Sequence, residues 1–248
     1  MVTLYNIMEV NLINMDIYFI LADPAVPENI GASARAIKTM GFNCLRLVRP
    51  KNYPNEKAEW LAHGSADILQ ATAIFNKLED AITDLDYVIG TSSKERSVKY
   101  DSYPISELKS IIEKKGEFIQ KLGIVFGGEE SGLSNSDLSL CDMVSYVPLA
   151  QPYPSLNLSQ AVMTFAFELS QVLERKSKFP KHDSSLLTDN EVRSFRLAKE
   201  KIKQILVKID IPEGSPIHNR ILERISIMGH TDLNLLHSVS SKLLSKIQ

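Results

Sequence analysis

Three stretches of the chain concentrate residues able to do chemistry. The first is PENIGASARA, residues 27–36. Asn29 stands at a helix start with Gly31 in its first turn, which leaves backbone N–H groups uncovered. Arg35 follows four residues after Gly31, on the helix face near that end. The plain alternative is an N-cap asparagine beside a solvated arginine. The second is FGGEESGLSN, 126–135. Gly127, Gly128 and Gly132 let the backbone approach a ligand closely, and Glu129 and Glu130 share the loop. No Lys-Ser/Thr follows, as a P-loop requires, and the glycines do not open a helix in the GxGxxG manner. Two carboxylates repel a phosphate, so the loop suits a neutral or cationic ligand, unless it is only a glycine turn. The third is VPLAQPYPSLNLSQA, 147–161. It leaves a strand at Pro148, passes Pro152 and Pro154, and enters a helix at Ser155-Leu156-Asn157. Leu149 and Leu156 can wrap a flat heterocycle whose edges meet backbone donors and acceptors. Ser155 can equally be no more than the helix cap.

All three lie where strands end. IYFIL (17–21), LRLV (45–48), a short stretch at 72–75, YVIGT (87–91), LGIVFGG (122–128) and MVSYVPL (143–149) read as strands. Helical spacing covers 29–40, 56–70, 104–115 and 155–174, the last with Leu158, Ala161, Val162, Phe165, Leu169 and Val172 on one stripe. Strands alternating with helices predict an α/β fold, a mostly parallel sheet with helices on both faces. Ligands bind at the carboxyl edge of such a sheet.

The remainder is organised differently. Residues 1–14 read as a leader ahead of the first strand, 15–175 as the main domain, and 176–188 as a polar linker. Residues 189–248 form a helical extension. Its three apolar stripes are Val192, Phe195, Ile202, Leu206 and Ile209; Ile217, Ile221, Ile225 and Met228; and Leu236, Val239, Leu243 and Ile247.

The 248 residues carry a net charge of −2, which argues against a basic nucleic-acid binder until it is divided: residues 1–174 sum to −8 and 175–248 to +6. Arg193, Arg196, Lys201, Lys203 and Lys208 fall opposite the first stripe of the extension and are candidates for an RNA-facing surface, with Arg46 and Arg49 as a local complement near the site. Two cysteines outside any CxxC, and five histidines without ligand spacing, predict neither a disulfide framework nor a metal site. No apolar run reaches the roughly 18–20 residues of a membrane span, and no signal peptide opens the chain. The expectation is a cytoplasmic protein without membrane attachment. His63 and Trp60 read as packing or surface residues.

Taken together, NxGAxxR at 29–35, GxExxGL at 127–133 and VPL…SLNL at 147–158 resemble the SpoU family of RNA ribose 2′-O-methyltransferases, within the knotted SPOUT superfamily. RAIKTMGF (35–42), HGSADIL (63–69), GTSS (90–93), PSLNLSQAV (154–162) and the helical extension are similar to its TrmJ-like group, which methylates position 32 of the tRNA anticodon loop. The resemblance implies a trefoil knot across roughly 122–170, an exception to the rule of unknotted chains. It also implies S-adenosylmethionine (SAM) as cofactor, held by Thr91, Ser92, Gly127, Gly128, Glu129, Val147, Leu149, Ser155, Leu156 and Asn157. A homodimer with the site at its interface, and a tRNA substrate, come with it. Arg35 carries over as the catalytic residue, supported by Asn29, Ser155 and Glu129; as RNA contacts, Arg35 is joined by Arg193, Arg196 and Lys203, which the charge pattern of the extension supplies rather than the resemblance. Ser33, Gly128 and Glu130 depart from residues common in relatives.

The implied reaction is in-line attack of a ribose 2′-hydroxyl on an activated methyl group, and it needs no metal. Alignment of the reactants is worth up to about 7–11 kcal/mol. A guanidinium keeps its proton to about pH 12 or above, so electrostatic stabilisation of the developing alkoxide is at least as plausible for Arg35 as proton abstraction. The alternatives are a non-catalytic RNA-binding or assembly factor on the same fold and a methyltransferase acting on another RNA such as rRNA. A dinucleotide-dependent oxidoreductase fails for want of a GxGxxG after the first strand.

Overall fold

The computed structural model describes residues 15–93, 101–151, 153, 155–173 and 195–246. The chain runs β1 (Asp16–Ala22), α1 (Pro27–Thr39), β2 (Cys44–Val48), α2 (Glu56–Leu61), α3 (Ala66–Gln70), β3 (Ala73–Phe75), α4 (Leu78–Ile82), β4 (Tyr87–Ser92), β5 (Ser102–Pro104), α5 (Leu108–Lys115), β6 (Lys121–Phe126), α6 (Asn135–Ser139), β7 (Met143–Tyr146) and α7 (Leu158–Leu173). The extension contributes α8 (Phe195–Lys208), α9 (Pro216–Ser226) and α10 (His230–Leu244).

The strands form one sheet in the order β3-β2-β1-β6-β4-β7-β5, with every pairing between them parallel. Side chains alternate between its faces. Phe19, Leu21, Leu47, Ile89, Ile124 and Phe126 join the larger core under α1, α5 and α7, whereas Ile20, Val48, Val88, Val125 and Val144 join a smaller one with α4 and α6. Burial on both faces is why these strands read as continuous apolar runs. Strand β6 inserts between β1 and β4, so the carboxyl ends of β1, β6, β4 and β7 stand side by side.

Several local expectations are corrected. The stretch 56–70 is two helices, broken around Gly64, whose φ is 75°. The sixth and seventh strands stop at Phe126 and Tyr146, which frees Gly127 and Val147 for loops. Elements of three to five residues, α4, β5 and α6, are too short to show a period. Helix α1 starts two residues before Asn29, because Pro27 takes the first helical position, where its missing N–H costs nothing.

Helices α1 and α2 pack through Gly31, where an added Cβ would lie 2.0 Å from the Ala58 carbonyl oxygen. Gly31→Ala is therefore expected to destabilise the chain by about 1–3 kcal/mol despite the better helix propensity of alanine. A urea midpoint unchanged from wild type would refute that contact.

In the extension, Phe195, Ile202 and Leu206 are buried as expected, but Ile209 and Ile217 are exposed. The α10 face is rotated from the expected stripe: Leu233, His237 and Ser240 are buried, while Val239 and Leu243 are exposed. The cause is polar. Lys201 on α8 reaches His237 Nε2 and Ser241 Oγ, both at 3.0 Å, and draws that side of α10 inward. The expected leader, the linker, Val192 and Ile247 lie outside the described residues.

Candidate active site

A cavity of about 660 Å³ opens at the carboxyl ends of β4, β6 and β7. Nine of the ten residues expected to hold a cofactor line it: Thr91, Ser92, Gly127, Gly128, Glu129, Val147, Leu149, Ser155 and Leu156. Sequence reasoning missed the apolar floor, formed by Phe126, Leu133, Leu158, Ala161 and Phe165, and the exposed Tyr153 at the rim. Phe126, Leu158, Ala161 and Phe165 read as strand and helix core, and Leu133 as the end of the glycine-loop motif, not as cavity lining. Tyr153 had a signal in its two flanking prolines.

The glycine loop is shaped first by its own backbone. An added Cβ on Gly127 would stand 2.0 Å from the carbonyl carbon of Gly132, and one on Gly128 2.6 Å from the Asp23 carbonyl oxygen. The loop thus folds tightly on itself and on the end of β1. That packing presents Glu129 to the start of α1. Glu129 Oε2 accepts from the Ala25 N–H at 2.9 Å, and Oε1 accepts from the Val26 N–H at 3.3 Å and from Asn29 Nδ2 at 2.8 Å. A carboxylate at a helix N-terminus meets the positive end of the helix dipole. Burial works to raise the Glu129 carboxyl, but the hydrogen bonds from Asn29 and the backbone outweigh it and hold it below the usual carboxylate range.

The chain of bonds continues. Asn29 Oδ1 accepts from Asn157 Nδ2 at 3.0 Å. Asn157 Oδ1 accepts from the Ser159 N–H at 2.9 Å, and the Asn157 carbonyl takes the Ala161 N–H. Asn157, not Ser155, is therefore the cap of α7, and Asn29 is a bridge inside α1, not its cap. Asn157 itself does not line the cavity. Glu129, Asn29 and Asn157 join the glycine loop, α1 and α7 into one unit around the cavity wall.

Arg35 does not line the cavity. It is exposed on α1, two turns after the Glu129 anchor, and its guanidinium has no hydrogen bond or ion pair among the described residues. Among the other expected cations, Arg46, Arg49, Arg196, Lys201 and Lys203 have partners. Arg46 makes a two-pronged bond to Asp84 at 2.6 and 2.9 Å and stacks on Tyr18, and this pairing holds the Asp84 carboxyl down at about 2. Arg49 grips Asp23 at 2.9 and 2.8 Å. These two arginines are structural rather than a free complement to RNA. In the extension, Arg196 donates to the Thr83 carbonyl, Lys201 reaches His237 and Ser241, and Lys203 pairs with Glu200 at 3.3 Å, while Lys199, which is not among the expected cations, pairs with Asp142. Arg193 lies outside the described residues.

Among the described residues, no helix is long and apolar enough to cross a membrane, and no group of three or more His, Cys, Asp or Glu is placed to hold a metal.

The sequence model of the SpoU rRNA Methylase family matches residues 16–167, and that of the tRNA/rRNA methyltransferase LasT, C-terminal domain, matches 193–247. The tRNA/rRNA methyltransferase LasT of Escherichia coli K12 is 33% identical over 225 residues, 90% of this chain and 95% of that one. The tRNA (cytidine-2′-O-)-methyltransferase TrmJ of Methanocaldococcus jannaschii is 32% identical over 215 residues, 83% of this chain and 86% of that one. Among solved structures, TrmJ from Z. mobilis ZM4 superposes with a TM-score of 0.61 at 26% identity, covering 91% of this chain and 98% of that one.

Proposed function

Because the chain belongs to the SpoU methylase family, we propose that it is a SAM-dependent tRNA ribose 2′-O-methyltransferase acting on cytidine or uridine at position 32 of the anticodon loop. One observation carries this: residues from three separate loops converge on one cavity, beside the helix that bears Arg35. The cavity falls within the roughly 300–1,000 Å³ of small-molecule sites. It also suits SAM chemically. Phe126, Leu133 and Phe165 make an apolar bed for a heterocycle, and Thr91 and Ser92 bring hydroxyls. Glu129 and Glu130 bring negative charge toward a cationic ligand. When bound, SAM supplies the activated methyl group.

The protein's own residues do the rest. The Glu129–Asn29–Asn157 chain holds α1 against the cavity, so Arg35 is carried on a fixed element. Arg35 faces the RNA, binds the phosphate next to the target ribose and stabilises negative charge as the 2′-hydroxyl loses its proton. Ser155, at the cavity wall, positions the ribose. The trefoil knot belongs to this reading, supported by β6 and β7 lying on opposite sides of β4. So do a homodimer, supported by Phe167 standing 55% exposed on α7, and a cytoplasmic location alongside tRNA. Contacts from Arg193, Arg196 and Lys203 to RNA also belong to it, with Arg196 and Lys203 exchanging their present partners for phosphates.

The test is methyl transfer from labelled SAM to total tRNA, to rRNA and to tRNA carrying a 2′-deoxy nucleotide at position 32. Label in tRNA, lost on 2′-deoxy substitution, is expected. Label confined to rRNA would favour the other RNA class, in keeping with a family of rRNA methylases. RNA binding with no label at all would leave the non-catalytic alternative.

A further inference from the structure

The joint between the sheet domain and the helical extension is built around a buried amine. Lys115 ends α5 and is fully buried. Its Nζ lies 4.6 Å from the Tyr87 ring centre on β4 and 4.5 Å from that of Phe195, the first residue of α8. Among the described residues, its one hydrogen bond runs at 3.3 Å to the Met228 carbonyl, in the turn between α9 and α10. Tyr87 reinforces the same turn, its hydroxyl donating to the Ser226 carbonyl at 2.6 Å. One amine thus touches α5, β4, α8 and the α9–α10 turn.

Donor counting decides its charge. An ammonium has three N–H donors, and among the described residues one carbonyl oxygen accepts from it, while the Tyr87 and Phe195 rings offer faces but no further hydrogen-bond acceptor. The nearby carboxylate is committed elsewhere, since Asp142 Oδ1 takes Lys199 of α8 and Oδ2 accepts the Val88 N–H at 2.8 Å. Other titratable groups around the joint include Tyr103 on β5, the Cys141 thiol beside Asp142 and Lys199, and the His230 ring of α10, which packs on Phe118 and lies against Gly116. None of them offers the amine a free negative charge. Ring faces give a cation partial compensation, but an ammonium here still lacks acceptors, and burial disfavours the charged form.

We propose that Lys115 is a proton-linked latch between the sheet domain and the extension: docking the extension strips a proton from the amine to solvent, and acidification favours the undocked arrangement. Burial lowers its pKa to about 7, the Asp142 charge opposing part of that effect. An undocked lysine titrates near 10.4. Between these values the undocked state binds more protons, so the docked state gains stability as pH rises from 7 and is at its weakest below 7. This inference does not depend on the catalytic reading.

Hydrogen exchange of α8–α10 in the full chain, corrected for intrinsic exchange, reads the opening constant directly. Between pH 7 and 9 that constant should fall by up to about tenfold per pH unit in wild type. Lys115→Met should remove the slope and keep the extension protected at pH 7, while Lys115→Arg should open it at every pH. Equal slopes in wild type and Lys115→Met, or no slope in wild type, would overturn the latch. Should Lys115→Met fail to fold, the ε-carbon shift of Lys115 in the wild type decides: a midpoint below pH 8 supports the latch and one above pH 10 overturns it.

Discussion

Arg35→Ala is expected to lower the rate of methyl transfer to tRNA by about 10²–10³-fold, the usual loss when one charge-stabilising group is removed from a transition state. Affinity for SAM stays within about twofold by contrast, as for a group whose role is confined to the transition state. The contrast follows from geometry. Arg35 stands outside the cavity wall and is exposed on α1, with no partner among the described residues. Its loss therefore breaks no contact that shapes the pocket or the fold. Arg35→Lys keeps the charge but not the two-pronged phosphate grip, so it should recover only part of the rate. The pH profile separates the two roles. An electrostatic Arg35 gives parallel profiles for wild type and the lysine variant. A basic Arg35 shifts the alkaline limb of the lysine variant to lower pH. A rate within threefold of wild type for Arg35→Ala would end both assignments.

The parts of this molecule legible in its sequence are those written in neighbouring residues. IYFIL and LGIVFGG declare buried strands because both their faces are apolar, and parallel pairing requires that. The loops that line the cavity announce themselves as polar and glycine-rich stretches at strand ends. What stayed hidden depends on partners far along the chain. Glu129 lies 100 residues from Asn29, and Asn157 lies 128. No local pattern says that the asparagine in the first turn of one helix is pinned by the asparagine capping another. The cations of the extension misled for the same reason. Read on a helical wheel they form a solvent face, yet Arg196 donates to Thr83 over 113 residues, and Lys199, which that reading does not include, pairs with Asp142 over 57. The +6 summed over residues 175–248 therefore works partly as glue between the two regions, leaving less of it for RNA than a segment sum implies.

Glu129→Gln should damage both the pocket and the fold, and its pH signature identifies the cause. The carboxylate accepts three hydrogen bonds, from Ala25, Val26 and Asn29. Glutamine has a single acceptor oxygen, and its amide N–H₂ would turn toward a backbone or Asn29 donor. Hydrogen bonds to a charged group contribute about 1.5–3 kcal/mol each when buried. Glu129 is half-buried, and solvent screens part of that, so a total loss of about 1–3 kcal/mol is expected. Because the same bonds hold the start of α1 against the glycine loop, SAM affinity should fall by about tenfold, which corresponds to 1.4 kcal/mol. The Glu129 carboxyl is held below the ordinary range, so its contribution is fully present above the unfolded carboxylate value of about 4.3 and disappears as pH falls through the lower folded value. Urea midpoints of the wild type should therefore converge on those of Glu129→Gln as pH drops from 5 to 3. A constant gap across that interval would show that the glutamine variant suffers from altered packing, and that the charge at the head of α1 does not hold the site together.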